Sequence, residues 1–187
     1  MRISPTLMTR ACTGAALAMV ASLTLAQQAA APAQPAATPA AAAAAGLRTE
    51  RALSLPLANQ IAAATVAACA ANGYAVTATV VDRAGTVRAV QRADNAGPHT
   101  VAAAERKAFT SASGKAPTLA MMENAQKNPG AANLVNIPGF LLLGGGVPIK
   151  AGNEVIGAVG VGGAPGGHLD DQCANAGLES VKAQLGA

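Results

Sequence analysis

The most constraining feature of the sequence is a glycine-rich stretch, GGGVPIKAGNEVIGAVGVGG, at residues 144–163. Eight of these twenty residues are glycine. Glycine weakens a strand unless another backbone or a ligand approaches it closely. The stretch therefore predicts a bare surface that something covers. Either a helix or neighbouring subunit packs on it, or a flat ligand lies against it, and both interpretations remain open at this point.

The usual phosphate-binding motifs are absent from this stretch. A P-loop needs Gly-Lys followed by Ser or Thr, whereas Lys150 stands between Ile149 and Ala151. A dinucleotide fingerprint needs a third glycine at the start of a helix, but segment 160–165 reads GVGGAP. Its proline also opposes immediate entry into a helix. The glycines therefore do not indicate a nucleotide site.

The amino terminus has the pattern of an export signal. Arg2 and Arg10 provide positive charge, and an uncharged apolar run extends from Ala11 to Ala26. This run is shorter than the roughly 20 residues that span a bilayer. We interpret residues 1–26 as a cleaved secretory signal peptide. The mature protein is then periplasmic or secreted, with no membrane span after cleavage.

The next segment has the composition of a linker. Residues 27–46 contain twelve alanines and three prolines and carry no charge. Such a segment buries too little apolar surface to offset its ordering entropy. We therefore predict an Ala/Pro-rich flexible linker at residues 27–50 and a folded domain at residues 51–187.

Charge and aromatic content argue against nucleic acid as a partner. Without Arg2 and Arg10, eleven Lys and Arg stand against nine Asp and Glu, and the net charge is +2. The chain has one Tyr, two Phe and no Trp, so it lacks the aromatic platforms on which bases stack. The sequence predicts no nucleic-acid partner.

Two cysteines, Cys69 and Cys173, lie in the predicted domain. An even pair in an exported protein is consistent with a disulfide. Free cysteine also packs in cores as a small apolar residue. Their spacing does not decide between a bonded and a free pair.

The hydrophobic periodicity and turn residues predict the order helix, two strands, two helices, three strands, helix. Ser54 and Thr100 are the expected N-caps of the first two helices, and Asp170 or Asp171 that of the last. Strands are expected at 74–82, 86–92, 140–145, 147–150 and 153–161. Hairpin-linked strands favour an α+β fold, with an antiparallel sheet of about five strands flanked by helices.

Motifs for zinc or serine chemistry are missing. The chain has only two histidines, His99 and His168, and no H-x-x-x-H or C-x-x-C pair. It also lacks a G-x-S-x-G nucleophile elbow. These absences leave no nameable catalytic residue.

The most informative polar group lies on the second predicted helix. At helical spacing His99, Arg106 and Thr110 fall on one side. The helix start offers free N–H groups that suit a carboxylate. Arg106 and Lys107 are candidates for binding anionic groups, and His99 for ligating iron. The alternative is a solvated helix face without a ligand.

Several motifs in a fixed order resemble one family. They are VVDRAGTVRAVQRADNAGPHTVAAAERKAFTSAS (80–113), APT (116–118), IPG (137–139), GGGVPI (144–149), VIGAVGVGGAP (155–165) and LDDQCANAG (169–177). This pattern, spanning roughly residues 53–185, resembles the GlcG/HbpS family of haem-binding-type proteins. The secreted haem-binding branch is the most similar part of that family.

The resemblance implies a profilin-like domain that assembles into homo-oligomers and takes haem as its cofactor. Haem sensing through a partner kinase, haem storage and haem breakdown are the implied roles. The porphyrin is expected near the start of helix 100–114, with His99 or Thr110 approaching the iron. Arg106 and Lys107 are expected to neutralise the propionates, and Gly145 and Gly146 to admit the ring.

Two other functions remain open. One is an auxiliary enzyme acting on a small organic acid, bound through the same basic residues. The other is an oligomeric assembly or signalling module that has no ligand.

Overall fold

A computed structural model describes residues 46–186 of the chain. The predicted leader at 1–26 and most of the predicted linker at 27–50 lie outside this range. The last linker residues, 46–50, are exposed and irregular. Within the described range, no helix is both long and apolar enough to cross a membrane.

A single antiparallel sheet forms the middle of the domain. Its strands are β1 (Thr77–Asp82), β2 (Val87–Arg92), β3 (Gly146–Ala151) and β4 (Glu154–Gly162). They lie in the order β2-β1-β4-β3, and each neighbouring pair is antiparallel. The α+β prediction is therefore confirmed, with four strands in the described range instead of about five.

The strand predicted at 140–145 is the one that does not form. The Leu141 N–H donates to the Thr110 hydroxyl at 2.8 Å, and the Leu143 carbonyl accepts from the Thr118 hydroxyl at 2.7 Å. Side chains of two helices thus satisfy backbone groups that a neighbouring strand would otherwise bind. Apolar composition alone could not distinguish this covered loop from a buried strand.

Between residues 46 and 186, four α-helices accompany the sheet: α1 (Leu55–Ala70), α2 (His99–Gly114), α3 (Thr118–Lys127) and α4 (Gly167–Ser180). Short 3-10 helices cover Pro129–Asn136 and Lys182–Leu185. Ser54 caps α1 as predicted, because its hydroxyl accepts from the Leu57 N–H at 3.4 Å.

The other two predicted caps are wrong. Thr100 lies inside α2, with its hydroxyl within 2.7 Å of the Thr77 hydroxyl and of the Gly97 carbonyl. The last helix begins at Gly167, so Asp170 lies in its first turn and Asp171 follows. In both cases a buried partner, and not a free helix N–H, determines where the polar side chain points.

The helices cover the two faces of the sheet unequally. α1 and α4 pack on one face, where the larger cluster of buried side chains includes Ile61, Val80 and Val159. α2 packs on the other face, where Ala108 and Ala112 meet Val81 and Ala158. The sheet therefore lies between two helical layers, as expected for a profilin-like arrangement.

The cysteines bond to each other and join the two helices of the first layer. Cys69 of α1 and Cys173 of α4 form a disulfide with Cα atoms 5.2 Å apart. Both side chains are almost fully buried. Of the two alternatives left open by their spacing, the structure has the bonded pair.

The glycine-rich stretch is covered by the chain's own helix. A Cβ at Gly160 would overlap the Ala104 carbonyl oxygen and lie 2.5 Å from the Ala108 nitrogen. A Cβ at Gly162 would be less crowded, at 3.2 Å from the Thr100 carbonyl oxygen and from Ala103 Cβ. The interpretation that a helix packs on this face is confirmed for these glycines. Their lack of side chains brings the backbone of α2 close to β4.

Replacing Gly160 by alanine is expected to destabilise the fold by ~1–3 kcal/mol, since the new methyl group would push helix backbone and not a flexible side chain. Gly114→Ala is the matched control, because its methyl would meet only the flexible end of Met121. Urea unfolding of both variants measures the difference. Equal midpoints for Gly160→Ala and the unmodified protein would contradict the close packing.

Candidate functional site

A cavity of about 230 Å³ opens beside the first two turns of α2. We call it the α2 cavity. Its walls are residues of α2, Leu143, the β4–α4 connection at residues 162–167, and Asp170. The connection is rich in glycine, so backbone groups make up much of the wall.

A buried ion pair forms the floor of the α2 cavity. The Lys107 Nζ donates to Asp170 Oδ2 at 2.7 Å and to the Val161 carbonyl at 2.8 Å. Asp170 Oδ1 accepts from the Ala164 N–H at 3.0 Å. Lys107 is 1% exposed and Asp170 3%. The pair thus ties α2, β4 and α4 together from inside the domain.

The electrostatics of the floor reflect this burial. Burial raises the pKa of the Asp170 carboxyl, while the hydrogen bond and charge of Lys107 act in the opposite direction. Burial also raises the pKa of the neighbouring Asp171. A buried lysine without a carboxylate partner would be costly, so the pair is a structural requirement.

His99 stands at the rim of the same cavity. It is the first residue of α2 and is exposed. A Cβ on Gly97 would lie 2.8 Å from its Cε1 atom, so the glycine leaves room for the ring. No hydrogen bond from the imidazole to another described residue is formed. The ring nitrogens are therefore available to a ligand.

Arg106 and Thr110 lie further along α2, outside the cavity. Arg106 is exposed, and its guanidinium donates to the Phe140 carbonyl at 2.6 Å. Thr110 is fully buried. Its hydroxyl donates to the Arg106 carbonyl at 2.7 Å and accepts from the Leu141 N–H at 2.8 Å. The Thr110 side chain is thus bonded within the domain and does not line the α2 cavity.

Gly145 and Gly146 are buried at the start of β3, where Asp170 and the Val161 carbonyl lie against the first and α2 lies against the second. A Cβ on Gly146 would overlap the Lys107 carbonyl oxygen and lie 2.6 Å from Thr118 Cγ2. These glycines therefore allow close packing within the domain and do not form the open surface expected for a flat ring. Of the predicted site residues, the structure brings His99 and Lys107 to one cavity and leaves Arg106 on the outer helix face.

Asp170 and the 162–167 connection are the parts of the site that sequence reasoning missed. Asp170 lies 63 residues from Lys107, and was interpreted as a helix cap. One signal was available: at 100° per residue, Lys107 falls beside Ala104 and Ser111, on the buried side of α2. A lysine in that position requires a buried partner.

Among residues 46–186, no cluster of three or more His, Cys, Asp or Glu side chains is positioned to hold a metal ion directly. A single histidine, by contrast, is enough to bind a metal that arrives inside a larger cofactor. His99 is the exposed histidine that borders a cavity.

Comparison with known proteins gives consistent results. Residues 53–179 match the family model described as "Haem degrading protein HbpS-like". Protein GlcG of Escherichia coli K12 is 34% identical over 115 residues, which is 62% of this chain and 84% of GlcG. The crystal structure of a double mutant of Streptomyces reticuli HbpS is 40% identical. The match covers 79% of this chain and 99% of the HbpS chain, with a TM-score of 0.69.

A more distant structure, "PduOC:Heme Complex", is 23% identical, has a TM-score of 0.62 and covers 70% of this chain and 95% of that one. This likeness shows the shared fold alone. The family model covers most of the chain, and its range includes the sheet, α2 and the α2 cavity. The chain therefore belongs to the HbpS-like family, to which the order of its motifs pointed.

Proposed function

We propose that this protein is an exported haem-binding protein, and that the edge of the porphyrin lies at the α2 cavity with His99 approaching the iron. The description of the matching family model supports a haem-related role. Haem sensing, storage and breakdown are the uses that fit such a protein. A sensor kinase as partner remains a prediction from the family resemblance.

The observation that carries this proposal is the exposed imidazole of His99 at the rim of the α2 cavity. Neutral imidazole is a common metal ligand, and this ring has no partner among the described residues. Haem, when bound, would supply an iron, and His99 is the residue that would hold it through an imidazole nitrogen. The described residues therefore fit the cofactor at one point of attachment.

The size of the cavity limits how much of the ring one subunit covers. At about 230 Å³ it is smaller than the roughly 300–1,000 Å³ of a pocket that buries a drug-sized ligand. We propose that a second copy of the chain covers the remainder. The exposed Val87 and Val90 of β2 and Val101 of α2 provide apolar surface for such a homo-oligomer.

The charged groups then have different roles from those expected. Arg106 is exposed two turns, or about 10 Å, along α2 from His99 and remains available to a propionate. Lys107 is committed to Asp170 and Val161 within the subunit. In our proposal Lys107 shapes the cavity floor and does not bind a propionate.

Export is supported by two features. Residues 1–26 have the pattern of a cleaved leader. The Cys69–Cys173 bond is typical of proteins that fold in an oxidising compartment, such as the periplasm or the cell exterior. Fractionation of expressing cells, with the mass of the mature protein, tests this. Full-length protein retained in the cytosol would contradict it.

Haem titration of His99→Ala is expected to show a shifted Soret band and affinity at least ~10-fold weaker than the unmodified protein, because an axial bond is lost. His168→Ala is the matched control, since His168 is the other histidine of the chain and is also exposed. This control is expected to bind like the unmodified protein. Added imidazole is expected to restore part of the spectrum in His99→Ala.

Identical spectra and affinities for His99→Ala and the unmodified protein would reject His99 as the ligand. Failure of the unmodified protein to change the haem spectrum would reject the haem proposal as a whole. Size-exclusion chromatography with and without haem tests the second copy. A monomer that binds haem fully would contradict the shared site.

A second candidate, an enzyme acting on a small organic acid, is favoured by the small volume of the cavity and by the glycine-rich backbone of its wall. It predicts that acetate-sized or glycolate-sized acids, and not haem, raise the melting temperature. Turnover of haem with a reductant separates haem breakdown from simple binding.

A further inference from the structure

A second and larger recess lies at the other end of α2. Its volume is about 870 Å³. Five cationic side chains line it: Arg48, Arg51, Arg83, Lys115 and Lys150. We call these residues and the space between them the basic basin. They come from the segment before α1, the β1–β2 turn, the end of α2 and strand β3, so the fold brings them together from distant parts of the chain.

The basic basin has more positive charge than its own carboxylates neutralise. Glu50 contacts Arg48 and lies 3.4 Å from Arg83. Glu154 accepts from Arg83 at 2.6 Å. Two carboxylates against five cations leave a net charge of +3. This excess is larger than the +2 of the whole chain without its leader.

Arg83 is held in a fixed position in the basin. Its Nη2 donates to the Arg51 carbonyl at 2.8 Å as well as to Glu154. The hydrogen bond from Arg83 lowers the pKa of Glu154, which keeps that carboxylate ionised at neutral pH. Arg51 in turn donates to the Ala151 carbonyl at 3.2 Å. Two of the five cations are therefore ordered by the domain itself.

Lys115 and Lys150 supply the unneutralised charge. Within residues 46–186 neither ammonium is within ion-pair distance of a carboxylate, unlike Lys127 and Lys182, which pair with Glu123 and Glu179. Lys115 also has a positive φ of 52°, a backbone conformation that residues other than Gly and Asn rarely adopt. It follows the last residue of α2 and is placed on the basin by that turn.

The chemistry of the basin indicates its ligand. Residues 1–45 contain no Asp or Glu, so side chains of that segment cannot neutralise the basin. Its other lining residues are small or polar, namely Ala112, residues 151–153 and Val155, and none is aromatic. The lining residues therefore offer no aromatic ring on which a porphyrin or a base could stack.

We propose that the basic basin binds a small molecule with at least two anionic groups, either carboxylates or phosphates. Arg51 and Arg83 provide directed N–H donors, and Lys115 and Lys150 provide positive charge that no carboxylate of the described residues neutralises. Charge-assisted hydrogen bonds from several cations to one ligand are the usual way in which proteins hold such anions. This site is separate from the α2 cavity and does not depend on haem binding.

Calorimetric titration with citrate and with pyrophosphate at low ionic strength tests the proposal, and acetate serves as the singly charged probe. The basin variant is Lys115→Asn/Lys150→Gln, in which asparagine suits the positive φ. Lys127→Gln/Lys182→Gln removes the same charge elsewhere. We expect citrate, pyrophosphate or both to bind the unmodified protein and this control alike, and the basin variant at least ~10-fold more weakly.

The outcomes separate the two anion sources and the two sites. Tighter binding of citrate indicates a polycarboxylate ligand, and tighter binding of pyrophosphate indicates a phosphate ligand. His99→Ala is expected to bind these probes normally. Equal loss in the basin variant and the control, no loss in either, or no binding of either probe to the unmodified protein overturns the proposal. Circular dichroism of each variant confirms that the fold is intact.

Discussion

Replacing Lys107 by methionine is expected to lower the free energy of unfolding by ~3–5 kcal/mol. Methionine fills similar space but leaves the Asp170 carboxylate buried without its cation and the Val161 carbonyl without its donor. The loss arises chiefly from the uncompensated charge and not from missing volume. Because α2, β4 and α4 all meet at this pair, the effect is expected on the whole unfolding transition.

Urea unfolding with a double-mutant cycle measures this effect. Asp170→Asn alone is expected to destabilise strongly, since it leaves the ammonium of Lys107 buried without a carboxylate. The double variant Lys107→Met/Asp170→Asn is expected to be more stable than the sum of the two losses predicts, because no buried charge remains. Lys127→Met is the surface control and is expected to change stability by less than ~0.5 kcal/mol. Simple additivity in the cycle would contradict the coupling.

The Lys107→Met variant is also expected to depend on pH with a definite sign. Burial already raises the pKa of Asp170, and Lys107 opposes that rise, so its removal raises this pKa further. A carboxyl with a higher pKa in the folded state binds its proton more tightly when folded, so protonation favours folding. The destabilisation relative to the unmodified protein should be largest near pH 7 and shrink toward about pH 5. A penalty that grows on acidification would contradict this.

Much of the fold was predictable because its signals are local. Ser54 and Pro56 mark the start of α1, Gly85 the β1–β2 turn, and the β-branched run at 77–81 the central strand β1. The strand predicted at 140–145 failed because its backbone partners are the hydroxyls of Thr110 and Thr118. Such partners are distant in sequence and leave no periodic pattern.

The candidate site was predictable only in part, for the same reason. His99 could be identified because it is one of only two histidines and precedes a polar helix face. The commitment of Lys107 to Asp170 depends on how α4 returns across β4, which composition and spacing do not reveal. Gly145 and Gly146 were predicted to admit a flat ring. In the structure Gly145 meets Asp170 of α4 and the Val161 carbonyl, and Gly146 meets the backbone of α2, so residues of the same chain lie against both glycines.

Replacing both Cys69 and Cys173 by alanine is expected to destabilise the domain by ~2–5 kcal/mol. The bond closes a loop between residues 104 apart, and the chain-entropy model gives about 4.7 kcal/mol for a loop of roughly this length. The disulfide also links α1 and α4 at a point where the two helices pack closely together. A Cβ at Gly177, one turn beyond Cys173, would overlap the Thr65 hydroxyl, one turn before Cys69.

Thermal unfolding with and without reductant measures the contribution of the disulfide. A loss of this size corresponds to a fall in Tm of roughly 10 °C for a domain of this length. Alanine is preferred to serine because both positions are buried and a hydroxyl there would lack a partner. The Cys69→Ala/Cys173→Ala variant is the control, since its Tm should not respond to reductant. Peptide mapping that finds both cysteines as free thiols in untreated protein would contradict the bond, and with it one of the two arguments for export.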